Sequence, residues 1–376
     1  MLKKAEKNIK KAVLFESQGK VKESKKLLQE ALKVTKESYG EIHPDVYKIL
    51  SNLAVHYATQ GKYYEAEPLF KKALEISRKT FGEENPEICN ALSNLANIYS
   101  YWQKYEDAEK LHKKALAIRE KIYGEAHPEV AASLNNLAIL YENQEKYSDA
   151  GILYKRALEI WSKTNGKKLL YVALAKNNLA NIYLKEGKYN DAEKLYLDAI
   201  SINEKKSLRE NSEFTALLNN IAYLYLKKGD FKKAELMLKR VINIYKKNKG
   251  LDNLNLGLAL ENLAEIYEIK NQYFKSSVYY KKSLNVYIKL KDFNHPDIII
   301  SLIKKMSSVY LMQNKRNDLV SVLSKILKYM SRFLKSDHSI LSFLNNHMKK
   351  LPFTDSISKN SVHSFIIILT IFYLYI

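Results

Sequence analysis

A chain of 376 residues is long enough for two or three compact domains. Its single cysteine, Cys89, excludes a disulfide framework within the chain and any cysteine metal cluster; this fits a reducing compartment, with the cytoplasm as the expected location. The net charge of +21 is unevenly placed, at +6 over residues 1–40, −3 over 41–160 and +18 over 161–376, and most of it is expected to be solvated helix surface.

The N-terminal stretch MLKKAEKNIKKAVLF lacks the apolar run of a secretory signal, and its lysines with Glu6 read as a helix starting at about Lys3 rather than as a transit peptide. Ala12, Phe15, Gly19, Leu27, Ala31 and Gly40 stand 42 residues before Ala54, Tyr57, Gly61, Leu69, Ala73 and Gly82, so a first repeat copy begins at the N-terminus. From there the step is carried by one residue type: Asn52, Asn94, Asn136, Asn178, Asn220 and Asn262 are each 42 residues apart. Whole phrases recur with it, as in NLAVHYATQGKYYEAEPLFKKAL from Asn52, NLANIYSYWQKYEDAEKLHKKAL from Asn94 and NLANIYLKEGKYNDAEKLYLDAI from Asn178. Each copy is one structural unit.

Within a copy, Leu53, Ala54 and Tyr57, then Ala66, Leu69, Phe70, Ala73, Leu74 and Ile76, follow helical spacing, which predicts two helices. Gly61 supplies the left-handed residue that ends the first helix, and Gly19, Gly187, Gly229 and Asn271 hold the same slot. A turn this short makes the two helices antiparallel neighbours. The second helix is expected to close at Phe81-Gly82, and Asn85-Pro86 to open the next copy; Gly40 with His43-Pro44, Gly124 with His127-Pro128, and His295-Pro296 repeat that punctuation. Alanines at Ala54, Ala66, Ala73 and their counterparts predict helix axes as close as roughly 8 Å. In the seventh copy Ser276 and Ser283 replace alanines, and in the eighth, one residue out of step, Leu319 and Ile326 do so, as expected of a terminal repeat.

This order of leucine, small residue, tyrosine, glycine, then small, aromatic, small resembles the tetratricopeptide repeat. At 42 residues it is similar to the long-helix version of kinesin light chains; the phrases at 61–87 (GKYYEAEPLFKKALEISRKTFGEENPE) and 103–147 carry that resemblance best. The resemblance implies an all-α fold: a right-handed superhelical solenoid of antiparallel helix pairs, with seven to eight copies over residues 1–329. A cap helix and polar spacer are expected over 330–364, and a short hydrophobic tail over 365–376. The apolar run FIIILTIFYLYI would span about 18 Å as a helix, short of a hydrocarbon core of about 30 Å. A membrane is therefore not expected as a partner except through that tail, which can cap the array, lie in an interface or be a mistranslated gene end. A first repeat helix at about Lys3 leaves no room for the heptad coiled coil with which kinesin light chains grip the motor heavy chain, so the heavy chain is not an expected partner.

Catalytic patterns are missing from the sequence. The eight histidines form no HExxH pair, and His43, His127 and His295 precede prolines between copies. There is no G-x-x-x-x-G-K-[ST] loop, no G-x-G-x-x-G after a strand and no G-x-S-x-G elbow. Carboxylates such as Glu65, Glu67, Asp107 and Glu109 read as surface charge. The expectation is a binding module with no cofactor, no metal site and no enzymatic activity.

The resemblance places a ligand groove along the first helix of each pair. There it implies peptide contacts from Asn52, Asn94, Asn136, Asn178, Asn220 and Asn262, from the preceding Asn135, Asn177 and Asn219, and from Asn97 and Asn181 three positions on. An amide offers donor and acceptor together and can pair with a peptide backbone whatever its side chains; the other reading is an asparagine ladder between copies. The carboxylate clamp of chaperone-binding relatives needs Lys and Arg in slots that here carry Asn, Ser and Ala. Glu261, Glu265 and Glu268 favour a basic stretch of ligand, while Lys185 and Lys227 favour acidic groups. The expected partner is an internal segment of another protein. The reading of a different class, a basic helical-repeat protein binding RNA or an anionic surface, draws on the charge of the C-terminal half. Two features weigh against RNA: the scarcity of arginine, and a groove asparagine that barely varies where base-reading repeats use varied polar pairs.

Overall fold

The structure, a computed structural model, describes residues 2–17, 21–164, 169–205, 212–247, 254–290 and 296–315. Among these residues there are fifteen α-helices and no strand. First and second helices alternate: α1 (Leu2–Ser17) with α2 (Val21–Tyr39), α3 (Pro44–Thr59) with α4 (Tyr63–Phe81), α5 (Pro86–Tyr101) with α6 (Tyr105–Tyr123), and α7 (Pro128–Asn143) with α8 (Tyr147–Ser162). Then come α9 (Leu169–Lys185), α10 (Tyr189–Lys205), α11 (Ser212–Lys227), α12 (Phe231–Lys247), α13 (Leu254–Ile269), α14 (Tyr273–Lys289) and the first helix of an eighth copy, α15 (Pro296–Met312). The fold is an all-α solenoid of antiparallel helix pairs. The chain divides into two compact units, Met1–Ile202 and Asn203–Ile376. Gly19, His295, Leu319, Ile326 and the expected spans 330–364 and 365–376 lie outside the described residues.

Local chemistry sets the helix ends. Pro44, Pro86 and Pro128 each occupy the first helical turn, where a missing N–H costs nothing. The residue before each proline caps the helix: Asn85 Oδ1 accepts from Glu87 N at 2.9 Å, and the ring Nδ1 of His43 and of His127 accepts from Asp45 N and Glu129 N at 3.2 Å. Both histidines stack on the tyrosine that closes the preceding helix, Tyr39 and Tyr123. The turn inside a copy takes a left-handed residue at Gly61 (φ 71°), Gly187 and Gly229 (both φ 76°) and Asn271 (φ 56°). Gln103 and Glu145, both at φ 59°, hold that conformation in copies without glycine, where Lys104 N and Lys146 N close the turn on Tyr99 O and Tyr141 O.

Ala54, Ala66 and Ala73 and their counterparts through Ala264 are fully buried, as are Ser276 and Ser283 where the series changes residue type. A second series, thirty residues apart, trades volume between the first and second helices of each copy. Tyr47 stands with Ser77, Cys89 with Arg119, Ala131 with Trp161, Thr215 with Tyr245 and Gly257 with Tyr287. Where one side is large its counterpart is small; Thr215 and Tyr245 also share a hydroxyl hydrogen bond at 3.1 Å.

Adjacent copies are tied by a tyrosine on one first helix that donates to a glutamate on the preceding second helix: Tyr99 to Glu67 (3.3 Å), Tyr141 to Glu109 (3.0 Å) and Tyr267 to Glu235 (3.0 Å). Lys71, Lys113 and Lys239, one turn on, pair with the same carboxylates. Of the carboxylates that read as surface charge, Glu67 and Glu109 are thus inter-copy fasteners.

Ala138 sits in a cluster with Ala150, Tyr154, Leu179 and Ile182. Ala138→Leu is expected to cost about 1–3 kcal/mol by overpacking and to raise hydrogen exchange first in α7, α8 and α9, because a stacked array transmits strain to nearest neighbours. A rise spread evenly over the first unit would count against stacking.

Candidate functional site

Packing leaves one stripe of each first helix facing solvent, and the 42-residue step places it in the same register every time. In the first unit the stripe runs Asn94, Asn97 and Tyr101 on α5, Asn136, Ile139 and Asn143 on α7, and Asn178, Asn181 and Lys185 on α9. In the second unit it runs Asn220, Tyr223 and Lys227 on α11, and Asn262, Glu265 and Ile269 on α13. The six register asparagines, Asn52 included, are all half-buried, and Asn97 is exposed.

The neighbouring asparagines behave differently, since one residue along a helix turns the side chain by about 100°. Asn135 and Asn219 are 6% exposed and belong to the packing. Asn135 Oδ1 accepts from Asn178 Nδ2 at 3.2 Å, and Asn178 Oδ1 from Asn177 Nδ2 at 3.2 Å; Asn219 Nδ2 donates to Asn255 O at 2.9 Å. The ladder between copies therefore forms at Asn135–Asn178. Asn181, on the stripe, accepts from Tyr196 OH at 2.5 Å.

Two cavities open on the stripe of the first unit, and Asn94 and Asn136 line both. The larger, about 500 Å³, has Val55, Asn97, Ile139 and Asn143 at its sides and His112 among its lining residues. Its cause is a local change of residue type. In three copies the position of His112 holds a buried tyrosine that reaches the stripe: Tyr154 donates to Glu142 (2.9 Å), Tyr196 to Asn181 (2.5 Å) and Tyr280 to Glu268 (2.9 Å). Here the ring is shorter and Ser100 stands where Glu142 and Glu268 stand, so His112 Nδ1 is buried with no hydrogen-bond partner. Burial, by penalising the charged ring, holds its pKa down to about 4. It is a neutral imidazole at pH 7.

The smaller cavity, about 200 Å³, is lined by Asn90, Ser93, Arg119, Glu129 and Trp161 besides the shared asparagines. Arg119, 5% exposed, donates to Ser133 Oγ (2.7 Å) and Asn90 Oδ1 (2.8 Å), with Glu129 at 3.8 Å. Five donors in a planar fork exceed those two acceptors and leave capacity for an incoming carbonyl or carboxylate. Sequence reading passed over both side chains. The signal was present in register: the column of Arg119 otherwise holds Thr35, Ser77, Trp161, Asn203, Tyr245 and Tyr287, and that of His112 holds Leu28, Phe70, Leu238 and tyrosines.

Residues 45–121, 103–163, 129–205, 171–247 and 212–289 match the tetratricopeptide repeat family, and residues 11–45 match a second repeat family of that name. The chain is a tetratricopeptide repeat protein. Among solved structures, this tetratricopeptide repeat protein is similar to one from Parabacteroides merdae (20% identity, 81% of this chain and 99% of the other, TM-score 0.52). It is also similar to the apo form of RapI (17% identity, 75% and 97%, TM-score 0.55). A putative kinesin light chain with nearly identical TPR-like repeats from Podosopora anserina is 25% identical over 56% of this chain and 99% of the other, with a TM-score of 0.46. No curated protein matches the sequence significantly. Among the described residues, no group of three or more His, Cys, Asp or Glu side chains could hold a metal ion, and no helix is long and apolar enough to cross a membrane.

The acidic stretch of the seventh copy is engaged within the protein. Glu261 is 7% exposed and accepts from Lys305 Nζ at 2.9 Å; Lys305 also reaches Glu265 (3.5 Å), and Glu268 accepts from Tyr280 and Ser308. Lys305 lies on α15, in the asparagine slot once the one-residue slip is counted, and supplies the cation that the sequence assigned to a ligand.

Proposed function

We propose that this tetratricopeptide repeat protein is a non-enzymatic interaction scaffold that holds an extended segment of a partner protein along the free stripe of its first helices. The observation that carries the reading is the pair of cavities in the first unit that share Asn94 and Asn136. Stacked helices about 10 Å apart and a peptide rise of about 3.3 Å per residue let one asparagine meet about every third residue of the ligand backbone. Asn52, Asn97, Asn178, Asn181, Asn220 and Asn262 extend the same contact line within their own units, while the buried Asn135 and the half-buried Asn177 orient Asn178 and the buried Asn219 bonds to the backbone of Asn255. The Arg119 fork suits an acidic or carbonyl group of the segment, and the cavity at His112 suits an apolar side chain with a neutral polar end. Nothing in this reading requires a cofactor.

The test pairs binding with stability. A partner is captured with the full chain, its bound segment is mapped by crosslinking, and affinity is measured for Asn94→Ala/Asn136→Ala. Two lost neutral hydrogen bonds, at about 0.5–1.5 kcal/mol each, should weaken binding at least about fivefold with little change in melting temperature. Asn135→Ala, which removes a buried ladder partner, should instead lower the melting temperature. Unchanged affinity in the double variant would place the ligand elsewhere.

A further inference from the structure

The second helices of the second unit break a local rule that the earlier ones obey. In α4, α6, α8 and α10 the first turn carries an acid in one register, Glu65, Asp107, Asp149 and Asp191, as the positive end of the helix dipole favours. The same register in α12 and α14 holds Lys233 and Lys275, and neither first turn contains an acid. Asp230, just ahead of α12, offsets Lys233 at 3.4 Å; ahead of α14 stands Gln272. Helix stability does not account for these lysines.

They belong to a larger pattern. Helix α12 holds six cations and one carboxylate, and α14 four cations and none. That carboxylate, Glu235, is already taken by Lys239 (2.7 Å), Lys270 (2.9 Å) and Tyr267. The outward stripes, through Lys232 and Lys246 on α12 and Lys275 and Lys282 on α14, expose no acid and carry two large apolar side chains, Leu236 (56% exposed) and Phe274 (65% exposed). Lys315 adds a further cation 4.9 Å from the Phe274 ring.

We propose that these two outward stripes form a docking surface for an anionic lipid bilayer. Lysines attract a negative leaflet at about 1 kcal/mol each near the surface, and exposed Phe and Leu side chains among them enter the headgroup boundary. A nucleic-acid surface would use the bidentate fork of arginine; the one arginine of these helices, Arg240, is engaged with Glu204 at 2.5 Å. Docking through second helices leaves the first-helix stripe of the same unit, with Asn220 and Tyr223, open to a peptide.

The experiment is sedimentation of the full chain with phosphatidylserine-containing and with pure phosphatidylcholine vesicles. Lys232→Gln/Lys246→Gln/Lys247→Gln removes three exposed cations that make no hydrogen bond or ion pair among the described residues and should weaken binding to the anionic vesicles about 10- to 100-fold. Phe274→Ser should weaken it by a smaller factor without changing its salt dependence. Lys110→Gln/Lys163→Gln/Lys194→Gln takes the same charge from the first unit and should have little effect. Equal loss in both triple variants would reduce the effect to net charge and overturn the proposal. Binding unchanged in the α12 variant would overturn it too, since the bilayer would then be held by another part of the chain. Tight RNA binding through these lysines with vesicles left unbound would assign the surface to nucleic acid instead.

Discussion

Acidification from pH 7 to pH 4 is expected to remove about 3 kcal/mol of folding stability through His112 alone. The ring is neutral in the fold because burial holds its pKa down to about 4, whereas in the unfolded chain it titrates near 6.5. Between those values the unfolded state binds the extra proton, so stability is complete above pH 6.5 and is lost as pH falls towards 4. Other groups act in other windows or directions. Desolvation pushes Glu235 up, but hydrogen bonds from Lys239, Lys270 and Tyr267 together hold it down to about 2, so its share is lost only below about pH 4.5. Glu142, raised by burial, opposes the acid loss near the same pH. His112→Phe, the residue type of Phe70 in the preceding copy, should flatten the slope between pH 6.5 and 4.5 and leave the remainder intact. Urea midpoints at several pH values read this directly, and a variant that keeps the wild-type slope would show that the loss arises elsewhere.

Gly257→Ala should destabilise the second unit, although alanine is the better helix former by about 1 kcal/mol. A methyl at this position would lie 2.4 Å from Cε1 and 2.7 Å from Cζ of Tyr287, a ring with no exposed surface, held at its hydroxyl by Glu261 at 3.5 Å. Ser283 meanwhile donates to Gly257 O at 2.8 Å, which fixes the backbone from the other side. Neither the ring nor the helix can retreat, and overpacking of this kind costs about 1–3 kcal/mol, occasionally more. The effect should reverse in a Tyr287→Ala background, where the contact is gone and only helix propensity remains. A double-mutant cycle checks this; equal effects in both backgrounds would mean that the ring does not limit the site.

Helix pairs, turns and close contacts were legible from residue order because they are local. A buried face recurs every 3.6 residues along a helix, a left-handed turn selects glycine or asparagine, and a cap selects a side-chain acceptor beside a proline. Ala54, Gly61 and Asn85-Pro86 each do what their spacing predicts. The candidate site was legible only as a line of asparagines. Which member of Asn135-Asn136 lines the cavities depends on the phase of α7 against its neighbours, a rotation of about 100° that residue identity does not encode. Likewise, Glu67, Glu109 and Glu235 are fasteners and Glu261 is neutralised because tyrosines and Lys305 arrive from 26 to 44 residues away. The cavity at His112 exists because Ser100, twelve residues earlier, leaves a short ring without the partner that Tyr154 finds. The repeating sequence determined the copy and its period; packing between neighbouring copies decided which polar side chains hold the fold together and which face solvent.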